Sequence, residues 1–338
     1  MSFKNDILTV NSAQELAVAL QTGDRRALAR AITLVESTRL ADQAASEALL
    51  TAVLPRTGHA IRIGISGAPG VGKSTFIEAF GQYLTGRAKR VAVFAIDPSS
   101  RRSGGSILGD KTRMEKLSRD PNAFIRPSPA GTTLGGVARR TRESMLLAEA
   151  SGFDVVLVET VGVGQSETAV ADMTDLFVLL ASPGGGDDLQ GIKRGVMELA
   201  DLLIVTKADG DLLPAARRAV ANYQMALHLM RPKHLGLAAH VLAVSSLEGS
   251  GITGAWEKMF MIHDTLASDG RLQRLRADQA QRWFWGEVQS LVSETILNDP
   301  ELAVAATELE KAVAAGTMSP NHAARSLLGA ILPPAKPP

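Results

Sequence analysis

The sequence predicts an α/β fold, with a mostly parallel central sheet flanked by N-terminal helices and followed by a C-terminal helical extension. Three observations predict it. Short runs rich in Val, Ile and Leu alternate with helical stretches from about residue 61 to residue 245. A glycine-rich turn, GAPGVGKS at 67–74, joins the first of these runs to a helical stretch. After about residue 271 the strand-like runs stop and helical periodicity continues alone.

Residues 12–54 read as two or three short helices. Ser12-x-x-Glu15 has the spacing of a capping box, Gly23 is a stop and Asp24 is the next cap. The strand-like runs are IRIGIS (61–66), VAVFAI (91–96), DVVLVE (154–159), DLFVLLA (175–181), DLLIVT (201–206) and HVLAVS (240–245), with a weaker candidate at 123–126. Runs this apolar suit strands covered on both faces, and their alternation with helices implies right-handed crossovers between parallel strands. RLQRLRADQAQRWFWGEVQSLVSETIL then forms a long helix ending near Asn298-Asp299-Pro300. A second helix runs to about Gly316, and a third starts at Ser319-Pro320. The division expected is an N-terminal helical segment (1–56), the sheet-containing domain (57–268), a helical extension (269–331) and a disordered tail (332–338).

Composition limits the function classes. Of 338 residues 45% are apolar and 21% charged, as in soluble globular proteins, and the net charge is +1 without a long run of one sign. A nucleic-acid or anionic-membrane partner is therefore not expected. Cysteine is absent, which removes disulfides, thiolate metal sites and cysteine nucleophiles together. The six histidines show no paired ligand spacing. The N-terminus lacks the apolar core of a secretory signal, and no apolar run is long enough to span a bilayer, so a cytoplasmic location is expected.

The turn at 67–74 matches G-x-x-x-x-G-K-[ST] at every fixed position, in the strand-to-helix context that the motif requires. Gly67, Ala68, Pro69, Gly70, Val71 and Gly72 form a loop whose backbone N–H groups can converge on one anion, with the glycines allowing the curl. The helix starting near Lys73 adds the positive end of its dipole. Lys73 is placed to reach the β- and γ-phosphates, Ser74 to take one Mg²⁺ position, and Thr75 to lie beside the α-phosphate. Mg²⁺ requires hard oxygen ligands. Three further carboxylates are candidates: Asp97 ending one strand, Glu159 ending another, and Asp110 in the loop GGSILGDKTRM. Each reads alternatively as a cap or a surface charge. In ETVGVGQSE (159–167), Gly162 can offer its N–H to the γ-phosphate and Gln165 can orient the attacking water, or stand solvated in the loop. These features together specify a P-loop NTPase.

The base follows from VTKAD (205–209), which resembles the guanine motif Asn-Lys-x-Asp. Asp209 can accept two hydrogen bonds from guanine N1–H and N2–H₂, a pair that adenine does not offer, so GTP and GDP are the expected ligands over ATP. Lys207 packs its stem over the base. Thr206 stands where the motif has asparagine, and that substitution is expected to remove an amide that braces the loop. Ser245, Ser246 and Leu247 resemble the loop whose backbone contacts the guanine carbonyl.

Four segments, AIDPSSRRSGGSILGDKTRM (95–114), FIRPSPAGTTLGGVARRTRE (124–143), FDVVLVETVGVGQSETAVADM (153–173) and GGGDDLQGIKRGVMELAD (184–201), together resemble the G-protein chaperones of adenosylcobalamin-dependent acyl-CoA mutases, the methylmalonyl-CoA mutase-associated GTPases. The resemblance covers most of residues 12–298. It implies a Mg²⁺-dependent GTPase whose nucleotide state gates cobalamin loading into a mutase, and which protects or rescues that mutase. Adenosylcobalamin then belongs to the mutase and not to this chain. It also implies a homodimer joined through the C-terminal helices, and extends the partners to a cobalamin adenosyltransferase. The stretch 184–201 resembles the family's third switch. Its Gly184-Gly185-Gly186 reads as a hinge, and Lys193 as a cation that stabilises transition-state charge once the mutase binds. In the long C-terminal helix, Trp283, Phe284 and Trp285 with Leu272, Leu275, Val288, Leu291 and Ile296 make an apolar band too wide for one packing surface. Its use is a dimer interface, or burial against the same chain.

Three other functions are open to a P-loop of this kind. A kinase needs an acceptor pocket beside the γ-phosphate. A nickel metallochaperone GTPase generally carries Cys or His clusters, and none is present. A binding-only scaffold is opposed by the intact Lys73, Ser74, Asp97 and Glu159.

Overall fold

The computed structural model describes residues 10–96, 114–127, 134–160, 166–184 and 194–331. Asp97, Asp110, Gly162, Gln165, Lys193 and the tail 332–338 lie outside the described residues. The chain divides into two compact units, one ending at Arg276 and the other beginning at Ala277.

The first unit opens with helices α1 (Val10–Gln21), α2 (Arg25–Val35) and α3 (Leu40–Val53). The cap at Asp24 forms as expected, its carboxylate accepting from Arg26 N at 2.7 Å, and Gly23 takes φ 77°. The capping box does not form: α1 starts at Val10, so Ser12 is already inside the helix. The buried repeat Ala13, Leu16, Ala17, Leu20 sets the face of that helix, and packing overrides the local cap signal.

Seven strands follow: β1 (Ile61–Gly67), β2 (Val91–Ile96), β3 (Ala123–Arg126), β4 (Val155–Thr160), β5 (Leu176–Ala181), β6 (Leu202–Val205) and β7 (His240–Ala243). The helices between them are α4 (Lys73–Thr85), α5 (Glu115–Arg119), α6 (Leu134–Ala150), α7 (Ser166–Ala171), α8 (Arg194–Met197) and α9 (Leu213–His228), and α10 (Ile252–Ser268) follows the last strand. The order across the sheet is β3-β2-β4-β1-β5-β6-β7, and every pairing is parallel.

Both faces of the sheet are covered, which is why the strands read as unbroken apolar runs. Ile61, Ile63, Ile65, Leu157, Val178 and Leu180 point into one layer with Phe76, Phe80 and Met259 of α4 and α10. Val156, Val158, Phe177 and Leu179 point into the other, which also takes Leu28 and Ile32 of α2 and Val137 of α6. Phe76 and Phe80 stack at 5.4 Å between ring centroids. The N-terminal helices are thus part of the first unit's core. Arg126 of β3 pairs with Glu36, and Arg25 donates to the carbonyl of Asp120 at 3.1 Å.

The long helix α11 (Arg271–Asn298) starts in the first unit and runs into the second. The second unit continues with α12 (Pro300–Ala314) and α13 (Pro320–Ile331). Asp299 caps α12 by accepting from Glu301 N and Leu302 N, Gly316 takes φ 71°, and Ser319 Oγ accepts from His322 N at 3.3 Å. These boundaries are the ones that the turn residues predict.

Candidate nucleotide site

The strand order puts β1, which runs into the glycine-rich loop, between β4 and β5, with β6 next to β5. The carboxyl ends of β1, β4 and β6 therefore lie on one edge, where open parallel sheets gather ligands. At β1, Gly67 has no room for a side chain, since a Cβ there would lie 2.6 Å from the carbonyl oxygen of Leu180. Gly72, at φ 99°, is the N-cap of α4, a left-handed conformation that costs other residues dearly. Ala68, Pro69 and Gly70 are exposed and Val71 is buried.

Lys73 is buried at the first position of α4. Its Nζ donates to the carbonyl oxygens of Gly67 at 2.7 Å and Ala68 at 3.2 Å, so the ammonium lies folded over the loop. Burial lowers its pKa, while the carboxylates of Glu159 and Glu167 act in the opposite direction. A cation in so little water is strongly felt by an anion. Glu159 pairs across the sheet with Ile65 on one side and Ala95 on the other. From there it accepts a hydrogen bond from Ser74 Oγ at 3.3 Å, so two hard oxygens predicted to share one cation are adjacent. Thr75 is exposed on the same helical turn. Among the described residues no three His, Asp or Glu side chains gather as a metal site, and Asp97 and Asp110 are outside that set.

The second loop follows β6. Asp209 Oδ2 accepts from Ser245 Oγ at 2.5 Å, and Ser245 Oγ in turn accepts from Glu248 N at 3.1 Å. Ser245 is fully buried, so it orients the carboxylate from below. Ser246 is half-buried and Leu247 exposed. Ala208 N donates to Val244 O at 3.2 Å, joining the two base-side loops.

Thr206 departs from what its substitution suggests. Its side chain braces the loops without an amide, with Oγ1 lying 2.6 Å from the carbonyl oxygen of Val71 and 3.1 Å from that of Ala181. Lys207 Nζ donates to Gly70 O at 2.8 Å, and Lys207 holds φ 54°, the left-handed region. The signal for the threonine was present in its type, because a hydroxyl still donates one proton. The target, 135 residues upstream, was not legible.

The structure thus brings Gly67 to Thr75, Glu159, Thr206, Lys207, Asp209 and Ser245 to one edge of one sheet. That geometry agrees with what similar proteins are. A family model described as methylmalonyl Co-A mutase-associated GTPase MeaB matches residues 28–301. GTPase ArgK of Escherichia coli (strain K12) is 47% identical over 308 residues, covering 91% of this chain and 93% of that protein. The methylmalonic aciduria type A homolog, mitochondrial, of Mus musculus is 47% identical over 325 residues, covering 93% and 78% respectively. A crystal structure of a LAO/AO transport system kinase superposes with a TM-score of 0.76 at 39% identity, covering 96% of this chain and 99% of its own. With its match covering most of its length and its phosphate loop intact, the chain belongs to the methylmalonyl-CoA mutase-associated GTPase family.

Proposed function

We propose that this chain binds GTP with Mg²⁺ on the loop Gly67–Ser74, hydrolyses it, and uses the nucleotide state to gate adenosylcobalamin loading into a cobalamin-dependent acyl-CoA mutase. Methylmalonyl-CoA mutase or a close relative is the client, which the chain also protects or reactivates. The observation that carries the nucleotide reading is the joining of two loops. A buried lysine suited to phosphate and a carboxylate suited to guanine are held on neighbouring loops tied by Thr206 and Lys207. The client reading is carried by the family match and by the relatives named for methylmalonic aciduria.

Residue roles follow from chemistry. Lys73 and the N–H groups of the loop neutralise the β- and γ-phosphates, Thr75 stands beside the α-phosphate, and Asp209 reads guanine N1–H and N2–H₂ with Lys207 over the base. Ser245, Ser246 and Leu247 frame the base from the other side. Ser74 and Glu159, with Asp97 and Asp110, are the oxygen donors for Mg²⁺, an ion that supplies positive charge to the transferring phosphoryl group. Gly162 contacts the γ-phosphate, Gln165 orients water and Lys193 adds charge when the mutase binds. The second unit, with residues 269–276 leading into it, serves as a homodimerisation extension. In the single chain Phe284 and Trp285 of α11 are 60% and 62% exposed, a large apolar surface for an isolated helix to leave in water. The chain acts in the cytoplasm. Among the described residues no helix is long and apolar enough to cross a membrane.

The test incubates the purified chain with labelled GTP or ATP and Mg²⁺, alone and with each candidate mutase. The expected result is phosphate release from GTP in preference to ATP, accelerated by one mutase. Equal hydrolysis of ATP would overturn the guanine reading, and transfer of the label to an acceptor would establish a kinase instead. No acceleration by any mutase would overturn the client assignment.

A further inference from the structure

We propose that Glu78 and Gly81 of α4 are positioning residues for Mg²⁺. They form a seat that fixes where the chain re-enters the fold after the stretch holding Asp97 and Asp110. The inference deepens the Mg²⁺–nucleotide reading above and rests on it.

The short helix α5 begins without a cap of its own. Met114 stands at its N-cap position and makes no side-chain hydrogen bond there, where a helix ordinarily has Ser, Thr, Asp or Asn. Another element serves the orphan donors instead. Glu78 Oε1 accepts from Lys116 N at 2.9 Å, and both of its carboxylate oxygens accept from Leu117 N at 3.3 Å. Lys116 and Leu117 are the second and third residues of α5, whose N–H groups are the ones that a cap satisfies. Gln82 Nε2 donates to the same carboxylate at 2.9 Å and orients it. Further along α4, Gly81 is a notch. A Cβ there would lie 2.8 Å from Leu117 Cδ1 and closer still to Cδ2. Leu117 and Met114 are both buried, in the apolar layer that holds Phe76 and Phe80.

The seat shares a helix with a metal-ligand candidate. Ser74 and Glu78 are four residues apart, on one face of α4 and about 6 Å apart along its axis. Asp110 lies four residues before Met114, and four residues of chain reach at most about 14 Å. That tether is long enough for Asp110 to meet Ser74, and short enough to keep it in that region while α5 stays on α4. Without the seat, binding Mg²⁺ must also order this end of the stretch, and the affinity falls by that cost.

The experiment measures the affinity for guanosine 5′-(β,γ-imido)triphosphate in excess Mg²⁺ and in EDTA, by competition with a fluorescent guanine nucleotide, and reads amide exchange at Lys116 and Leu117. The ratio of the two affinities isolates the metal. A merely structural contact would lower the urea midpoint and leave that ratio unchanged. Glu78→Ala removes the cap while placing a better helix former in α4. It is expected to lower the ratio by about fivefold, the scale of one helix cap, with faster exchange at both amides and the affinity in EDTA unchanged. Glu78→Gln keeps an acceptor oxygen and is expected to recover most of the ratio. Gly81→Ala pushes Leu117 out of the notch and is expected to lower the ratio as well, which reads the seat independently should Glu78→Ala not fold. The proposal is overturned if Glu78→Ala keeps the wild-type ratio, if its two affinities fall in equal proportion, if Glu78→Gln is no better than Glu78→Ala, or if Gly81→Ala has no effect. A wild-type protein whose affinity is the same in Mg²⁺ and in EDTA would overturn the Mg²⁺ reading itself, an outcome distinct from these.

Discussion

Arg276 and Asp175 meet side-on at the foot of the sheet, the guanidinium Nε and Nη2 donating to the two carboxylate oxygens at 2.8 and 2.7 Å. Asp175 is fully buried and also accepts the backbone N–H of Arg62 at 2.8 Å. Arg276 Nη2 further donates to Ala60 O at 2.8 Å. The starts of β1 and β5 and the root of α11 are therefore tied at one point, opposite the end of the sheet that carries the phosphate loop. Beside it, Glu149, also fully buried, takes Arg62 Nε at 2.6 Å.

Breaking that pair from one side leaves a charge in a dry place. Arg276→Met is expected to destabilise the protein by about 3–5 kcal/mol, read as a lowered urea midpoint. Asp175→Asn combined with Arg276→Met is expected to cost less than the sum of the two single changes, since the double variant leaves neither partner as an unpaired buried charge. Additive costs would show that the two side chains do not act as a pair.

Asp201 gives a pH dependence with a definite sign. Burial alone would raise its pKa. Lys233 Nζ at 2.6 Å, His234 Nε2 at 3.0 Å and the N–H of Phe177 at 2.7 Å outweigh burial and hold the pKa below the ordinary aspartate value. A depressed folded-state pKa means that the contribution is fully present above the unfolded value, about 3.9, and is lost as pH falls from there towards the folded value. Asp201→Asn is expected to lower stability at neutral pH and to flatten the acid side of the stability profile below about pH 5. A variant whose acid limb keeps the wild-type slope would contradict this.

The two ends of the nucleotide site separate kinetically. Lys73→Ala is expected to lower kcat/KM for GTP by at least a hundredfold, about 2.7 kcal/mol of transition-state charge stabilisation. Asp209→Asn is expected to act on the choice of base, because its amide offers one acceptor and one donor where guanine requires two acceptors. GTP affinity falls and xanthosine triphosphate, with a carbonyl at position 2, gains. Steady-state kinetics with GTP and xanthosine triphosphate checks both, and a Lys73→Ala protein with wild-type kcat/KM would remove the phosphate assignment.

The aromatic surface of α11 predicts an assembly. Sedimentation velocity of the wild-type chain at micromolar concentration is expected to give a dimer, and Phe284→Ser with Trp285→Ser a monomer that still hydrolyses GTP. A wild-type monomer would contradict the proposed role of the extension.

Much of the fold was legible because its signals are local. The strand run VAVFAI became β2 without a shift at either end, and Asn298-Asp299-Pro300 ended one helix and capped the next because a proline at N1 and an aspartate at N-cap act within one turn. The phosphate loop was legible for the same reason, since it is eight contiguous residues. The start of α1 was misread because a plausible cap at Ser12 competed with core-facing residues and lost.

The amino-acid sequence by itself determined the strands and the glycine turn, and singled out the lysine proposed for phosphate and the aspartate proposed for guanine, all through periods and spacings that act over a few residues. Tertiary structure decided what holds them in place. Thr206 reaches Val71 across 135 residues and Arg276 reaches Asp175 across 101, and neither pairing exists until the order β3-β2-β4-β1-β5-β6-β7 is set. That order depends on which strand edges pair and on which helices cover the faces of the sheet, a property of the whole chain and of no single segment.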